Sequence, residues 1–98
     1  MSIVLIGGIE NQKSNYIKNA QKIGINLKVF TGHERNVGSR IGKPDAVIIL
    51  TKVISHVAKQ EVSQKAKTIG VGVVYQKLTG LNHLQACFQS LIKDYKKR

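Results

Sequence analysis

Residues 45–50 read Asp45-Ala46-Val47-Ile48-Ile49-Leu50 and lead into Thr51-Lys52. Five apolar residues follow one another here, three of them β-branched, with no polar residue between them. A strand with one wet face alternates apolar and polar residues. An unbroken apolar run suits a strand covered on both faces, as in a parallel sheet flanked by helices. This segment therefore predicts an α/β domain, and its neighbours must supply parallel partner strands and two layers of helix.

The neighbours do so. Residues 2–6 (SIVLI) are a β-rich run closed by Gly7-Gly8. Residues 11–23 set Tyr16, Ile17, Ala20 and Ile23 at helical spacing before a stop at Gly24, and residues 26–30 (NLKVF) read as a second strand. Residues 33–44 are rich in Gly and Arg and have no period. They predict a crossover only just long enough for parallel strands, holding a short helical turn or moving as a flap. Downstream, residues 54–69 carry apolar side chains at 54, 57, 58, 62, 66 and 69 and stop at Gly70. Residues 71–75 (VGVVY) read as the fourth strand. Residues 81–95 put Leu81, Leu84, Phe88, Leu91, Ile92 and Tyr95 on one helical stripe. Residues 93–98 (KDYKKR) are expected to fray as a basic tail. Strands alternating with helices predict one Rossmann-like or flavodoxin-like α/β domain over residues 1–98. Its sheet is expected to be four-stranded and parallel with helices on both faces, and analogy with flavodoxin-like sheets gives the order 2-1-3-4.

Charge is the unusual bulk property. Sixteen Lys and Arg against five Asp and Glu give a net charge of +11 in 98 residues. Such a surplus favours an anionic partner: nucleic acid, a phosphorylated ligand, a carboxylate-bearing cofactor or an acidic protein. Solubility alone is the competing reading. The single Cys87 excludes an internal disulfide and points to a reducing cytoplasm. No run approaches the about 20 apolar residues of a membrane span. The chain enters a strand at once, so neither membrane insertion nor a secretion signal is expected.

In a parallel sheet the carboxyl ends of the strands share one edge, where ligands bind. The residues assigned to that edge are Gly7 and Gly8, His33, Thr51 and Lys52, Ser55 and His56, and Lys77. Arg35, Arg40 and Lys43 of the crossover are expected to help make it positive. His56 is the leading candidate. On a helical projection it faces away from the apolar stripe of residues 54–69, in the first turn, where the helix amino terminus disfavours a positive charge on the ring. Val53, Ile54 and Val57 surround it with apolar surface. It can serve as an axial or metal ligand or a hydrogen-bonding contact, or stand as a solvated surface residue. His33 shares the edge or is a plain loop residue, and His83 is expected to be exposed or packed at the rim, and without a role. Cys87 reads as a small buried hydrophobe.

Several chemistries are excluded. Two histidines and a distant cysteine do not make a zinc site. Gly7-Gly8 lacks the spaced glycines and lysine of a phosphate loop, and reads instead as a tight turn open to close approach. The acids Glu10, Glu34, Asp45, Glu61 and Asp94 are too few and too scattered for a carboxylate-pair hydrolase or a phospho-receiver. No Ser stands in a nucleophile-elbow context. A non-enzymatic domain is expected.

Taken in order, Gly7-Gly8 after the first strand, His33 after the second, Asp45-Ala46-Val47 with its apolar run and Thr51, and Ile54-Ser55-His56 opening a helix resemble the bacterial family called domain of unknown function 2325. The resemblance covers most of the chain and is sharpest over residues 45–56. Two positions depart from the family pattern: Lys52 stands where an Asp is usual and Ile54 where a Val is usual. Of the family's His-Asp-Gly-Gly after strand 2, only His33 matches. The resemblance implies a small α/β domain with no assigned reaction, and it hints at haem. Haem b suits the residues: His56 for the iron, apolar neighbours for the ring, Lys and Arg for the propionates. The expectation is a ligand-binding or sensing protein, open to a gas as ligand, whose chains sandwich the group as a homodimer. The alternative is a basic nucleic-acid-binding accessory protein. Only three Tyr and two Phe occur, and none interleaves with the basic residues, so any such binding is expected to be non-specific and salt-dependent.

Overall fold

A computed structural model of the chain describes residues 1–8, 10–31, 34, 36–52, 54–77 and 80–96. The elements run β1 (Ser2–Gly8), a 3-10 turn (Glu10–Gln12), α1 (Lys13–Lys22), β2 (Asn26–Thr31), α2 (Val37–Arg40), β3 (Ala46–Leu50), α3 (His56–Ile69), β4 (Gly72–Gln76) and α4 (Leu81–Lys96). The sheet is parallel throughout, in the order β2-β1-β3-β4.

All five residues of β3 are buried, as an unbroken apolar run requires. Alternation divides them between two cores. Ala46, Ile48 and Leu50 join Ile3 and Leu5 of β1 beneath α1 and α4, where Tyr16, Ala20, Leu84 and Phe88 are buried. Val47 and Ile49 join Val4 and Ile6 on the opposite face, beneath α2 and α3, with Val37, Val62 and Ala66. The register pairs Ile3 with Ala46 and Ile6 with Ile49. Asp45 fixes that register at the amino end: its carboxylate accepts from the Ser2 N–H at 2.7 Å, and its own N–H donates to the Ser2 carbonyl at 2.8 Å.

Helix boundaries follow from local chemistry. Ser55 caps α3, its hydroxyl accepting from the Ala58 N–H at 3.1 Å. Gly70, at φ 74°, ends α3 in the left-handed conformation that glycine adopts without strain.

The crossover of residues 33–44 holds a helical turn. Val37 and Ile41 enter the second core, and Gly38 lies so close to α3 that a Cβ there would stand 3.2 Å from Glu61 Cγ. The expected frayed tail is corrected as well, because residues 93–96 continue α4. Leu91 and Ile92 pack on the first core one turn earlier and carry the helix onward.

Candidate functional site

At the carboxyl edge, β1 ends in an irregularity. Pairing with β2 shifts register between Ile6 and Gly8, and Gly7 takes φ 93°. A side chain at that angle would strain the backbone, so glycine serves a bulge here. On the next strand the Thr51 N–H donates to the Gln76 carbonyl at 3.0 Å and carries the β3–β4 ladder one residue beyond Leu50. Lys52 and Lys77 follow these two strands and are exposed.

His56 opens α3 and is exposed, as its distance from the apolar stripe required. Its one described contact is with Gln60, one turn along the helix, at 3.2 Å between the two Nε2 atoms. The donor and acceptor roles in this pair depend on the tautomer of the ring, and an imidazole nitrogen without a proton is the form that binds metals. Beside it Val57 is 71 % exposed, the largest exposure of any big apolar side chain among the described residues. Ser55, between Lys52 and His56, already uses its hydroxyl as the helix cap.

Sequence reasoning missed the flank of this surface. Lys59 Nζ lies 5.5 Å from the centroid of the Tyr75 ring, and Tyr75 hydroxyl meets Ser63 Oγ at 2.8 Å. His56, Gln60 and Ser63 are spaced four and three residues apart, so they share one helical face with Lys59 on its flank. That spacing was the available signal. Tyr75 is 52 % exposed on β4. The surface thus runs from Val57 through His56 and Gln60 to Lys59 and Tyr75, along α3 as well as at the strand tips.

Among the described residues, Arg40 and Lys43 do not join Lys52 and Lys77 as free cations at this edge. Arg40 is bound elsewhere: its Nη1 lies 3.4 Å from Glu34 Oε1, and its guanidinium sits 5.0 Å from the Phe30 ring. Lys28 shares that ring at 5.3 Å and donates to the Arg40 carbonyl at 2.9 Å. Glu34 is also engaged by the backbone, accepting from the Thr31 N–H at 2.7 Å. Lys43 lines a groove with Ser2, Asn26 and Pro44, at the amino ends of the strands. It belongs to the opposite edge, because the crossover has by then returned to the start of β3. His33 and Arg35 lie outside the described residues, as do Val53 and the tail residues 97–98.

On the other face, His83 is exposed on α4 and Cys87 half-buried. Burial pushes the Cys87 thiol above its ordinary range. Cys87 packs on the core under α4 while His56 belongs to α3, so the sheet separates them and they form no nucleophilic pair. Among the described residues no three of His, Cys, Asp and Glu converge as metal ligands, and no helix is long and apolar enough to cross a membrane.

No curated protein and no solved structure matches the chain. The model of the family described as "uncharacterized protein conserved in bacteria (DUF2325)" matches residues 2–91, and the chain belongs to that family.

Proposed function

We propose that this domain is a non-enzymatic ligand-binding module whose key contact is His56, and that haem b is its ligand. The observation that carries the reading is the exposed His56 imidazole, 3.2 Å from the Gln60 amide and with the bare Val57 side chain beside it. A porphyrin needs a neutral imidazole, an apolar surface for its ring and cations for its propionates. His56 and Val57 supply the first two, and Lys52, Lys59 and Lys77 stand at the same end of β3 and β4. Bound through one imidazole, haem keeps a coordination position for a diatomic gas, which is the chemistry of a sensor. The openness of the surface favours reversible loading over permanent retention.

Titration of the purified protein with haemin tests this. The expected result is a shifted Soret band that saturates at one haem per chain and is lost in His56→Ala. No shift, or a shift unchanged in His56→Ala, overturns the reading. The colour of the protein as purified gives the same answer independently.

The charge favours a second reading, non-specific nucleic-acid binding. Glu34 and Asp45, two of only five acids, are engaged by backbone N–H groups, and Glu34–Arg40 is the one ion pair among the described residues. Most of the +11 charge therefore faces solvent. Binding of this kind weakens steeply with salt. An affinity for duplex or single-stranded DNA that stays flat between low and moderate salt rules it out.

A further inference from the structure

We propose that the outer edge of β4 is a docking surface for a second copy of this chain, joined by antiparallel pairing of the two β4 strands into a continuous eight-stranded sheet. Among the described residues β4 ends the sheet and pairs only with β3. Proteins protect such edges with charge, proline, bulges or a covering element. Gly72-Val73-Val74-Tyr75-Gln76 contains no charge and no proline, and none of its five residues is fully buried. The other edge is better guarded: β2 carries Lys28, buries Leu27, Val29 and Phe30, and has Arg40 folded over Phe30.

The hydrogen bonding of β4 fixes the register. Gln76 turns its carbonyl toward β3, where it accepts from Thr51. By strand alternation Gly72 and Val74 also face β3, leaving the N–H and C=O of Val73 and Tyr75 pointing outward. Antiparallel pairing about Val74 sets Val73 of one copy opposite Tyr75 of the other, twice, and satisfies all four groups on each copy. This arrangement is self-complementary, as a two-fold axis requires. Side chains agree with the backbone. Val73 packs on the core under α3, and Tyr75 contacts Ser63 of α3, so the two share a face. Each Tyr75 ring then covers the other copy's Val73, an aromatic and β-branched pair of the kind that stabilises sheets.

Charge complementarity selects a second copy as the occupant. Asp94 lines the groove beside Gly72, Val73 and Val74 and makes no ion pair among the described residues. Lys77 follows the opposite end of the strand. Antiparallel pairing brings Lys77 of each copy to the Gly72 end of the other, where Asp94 stands. The remaining positive charge opposes association, and salt screens it over about 8 Å at physiological ionic strength. Salt screens the Lys77–Asp94 attraction as well, so the charge-reversal variants, and not the salt dependence, report on that pairing. The two-fold leaves one His56 at each end of the joined sheet, so each copy carries its own ligand site.

Sedimentation equilibrium of haem-free protein at increasing salt is the test, and it does not depend on the ligand. The expected mass rises from 10.8 kDa toward twice that value with concentration. Tyr75→Lys and Asp94→Lys each return it to monomer, and Lys77→Asp combined with Asp94→Lys restores the dimer. A wild-type chain monomeric under every condition, or a dimer that Tyr75→Lys and Asp94→Lys leave intact, overturns the proposal.

Discussion

Ser55→Ala separates the structural from the ligand-binding part of the His56 surface. The substitution removes the hydroxyl that accepts from the Ala58 N–H at 3.1 Å. Ser55 is exposed with φ −69° and ψ 151°, so truncation opens no cavity and leaves the backbone unstrained. The cost is that of an amino-terminal cap, about 1 kcal/mol. Unfolding entropy near the midpoint is about 2.1 cal/mol/K per residue, or about 0.2 kcal/mol/K for 98 residues. The melting temperature should fall by about 5 °C. Ser55→Asp keeps an acceptor and adds negative charge at a helix start that has no acidic residue in its first turn, so it should recover most of the loss. Thermal unfolding by far-ultraviolet circular dichroism reads both variants. If Ser55→Ala melts with the wild type while haemin binding disappears, Ser55 is a ligand contact and the capping argument fails.

Phe88→Ala should cost about 3–5 kcal/mol, because the ring is fully buried between α4 and the sheet. Tyr95→Ala, at a 43 % exposed position of the same helix, should lie within about 0.5 kcal/mol of wild type. Urea midpoints compare the two. Gly70→Ala should destabilise by about 1–2 kcal/mol from backbone strain alone, since nothing lies within 4 Å of the added carbon; a neutral result refutes that account. Burial raises the Cys87 thiol, so iodoacetamide should modify it more slowly in the folded chain than in urea. Above the unfolded thiol's range the unfolded chain releases the proton first, and stability should decline as pH rises through that window. Cys87→Ala should remove this component of the slope.

The sheet was legible because β3 has no polar position, which fixes both its burial and the need for helices on two sides. The outward direction of His56 was legible for a similar reason: a helical period assigns every side chain an angle from the core. The crossover resisted the same treatment. α2 is four residues long, too short for a period, and it exists because Val37, Gly38 and Ile41 meet α3 across the fold. Sequence also does not say over which edge of a sheet a loop residue hangs. Arg40 turned to Glu34 and Phe30, and Lys43 went to the amino edge, for reasons visible only in three dimensions. Tyr75 was overlooked because an edge strand bares positions that a central strand would bury.

The position of β1 inside the sheet, with β2 on one side and β3 on the other, bears on how a ribosome delivers this chain. The first βαβ unit can close once residue 31 has emerged, yet it leaves the other side of β1 bare until residues 46–50 arrive. The layer beneath α1 stays open longer still, since Leu84 and Phe88 belong to α4 and are synthesised after β4. The nascent chain thus carries an uncovered apolar surface on each face of its sheet until the later elements have been made.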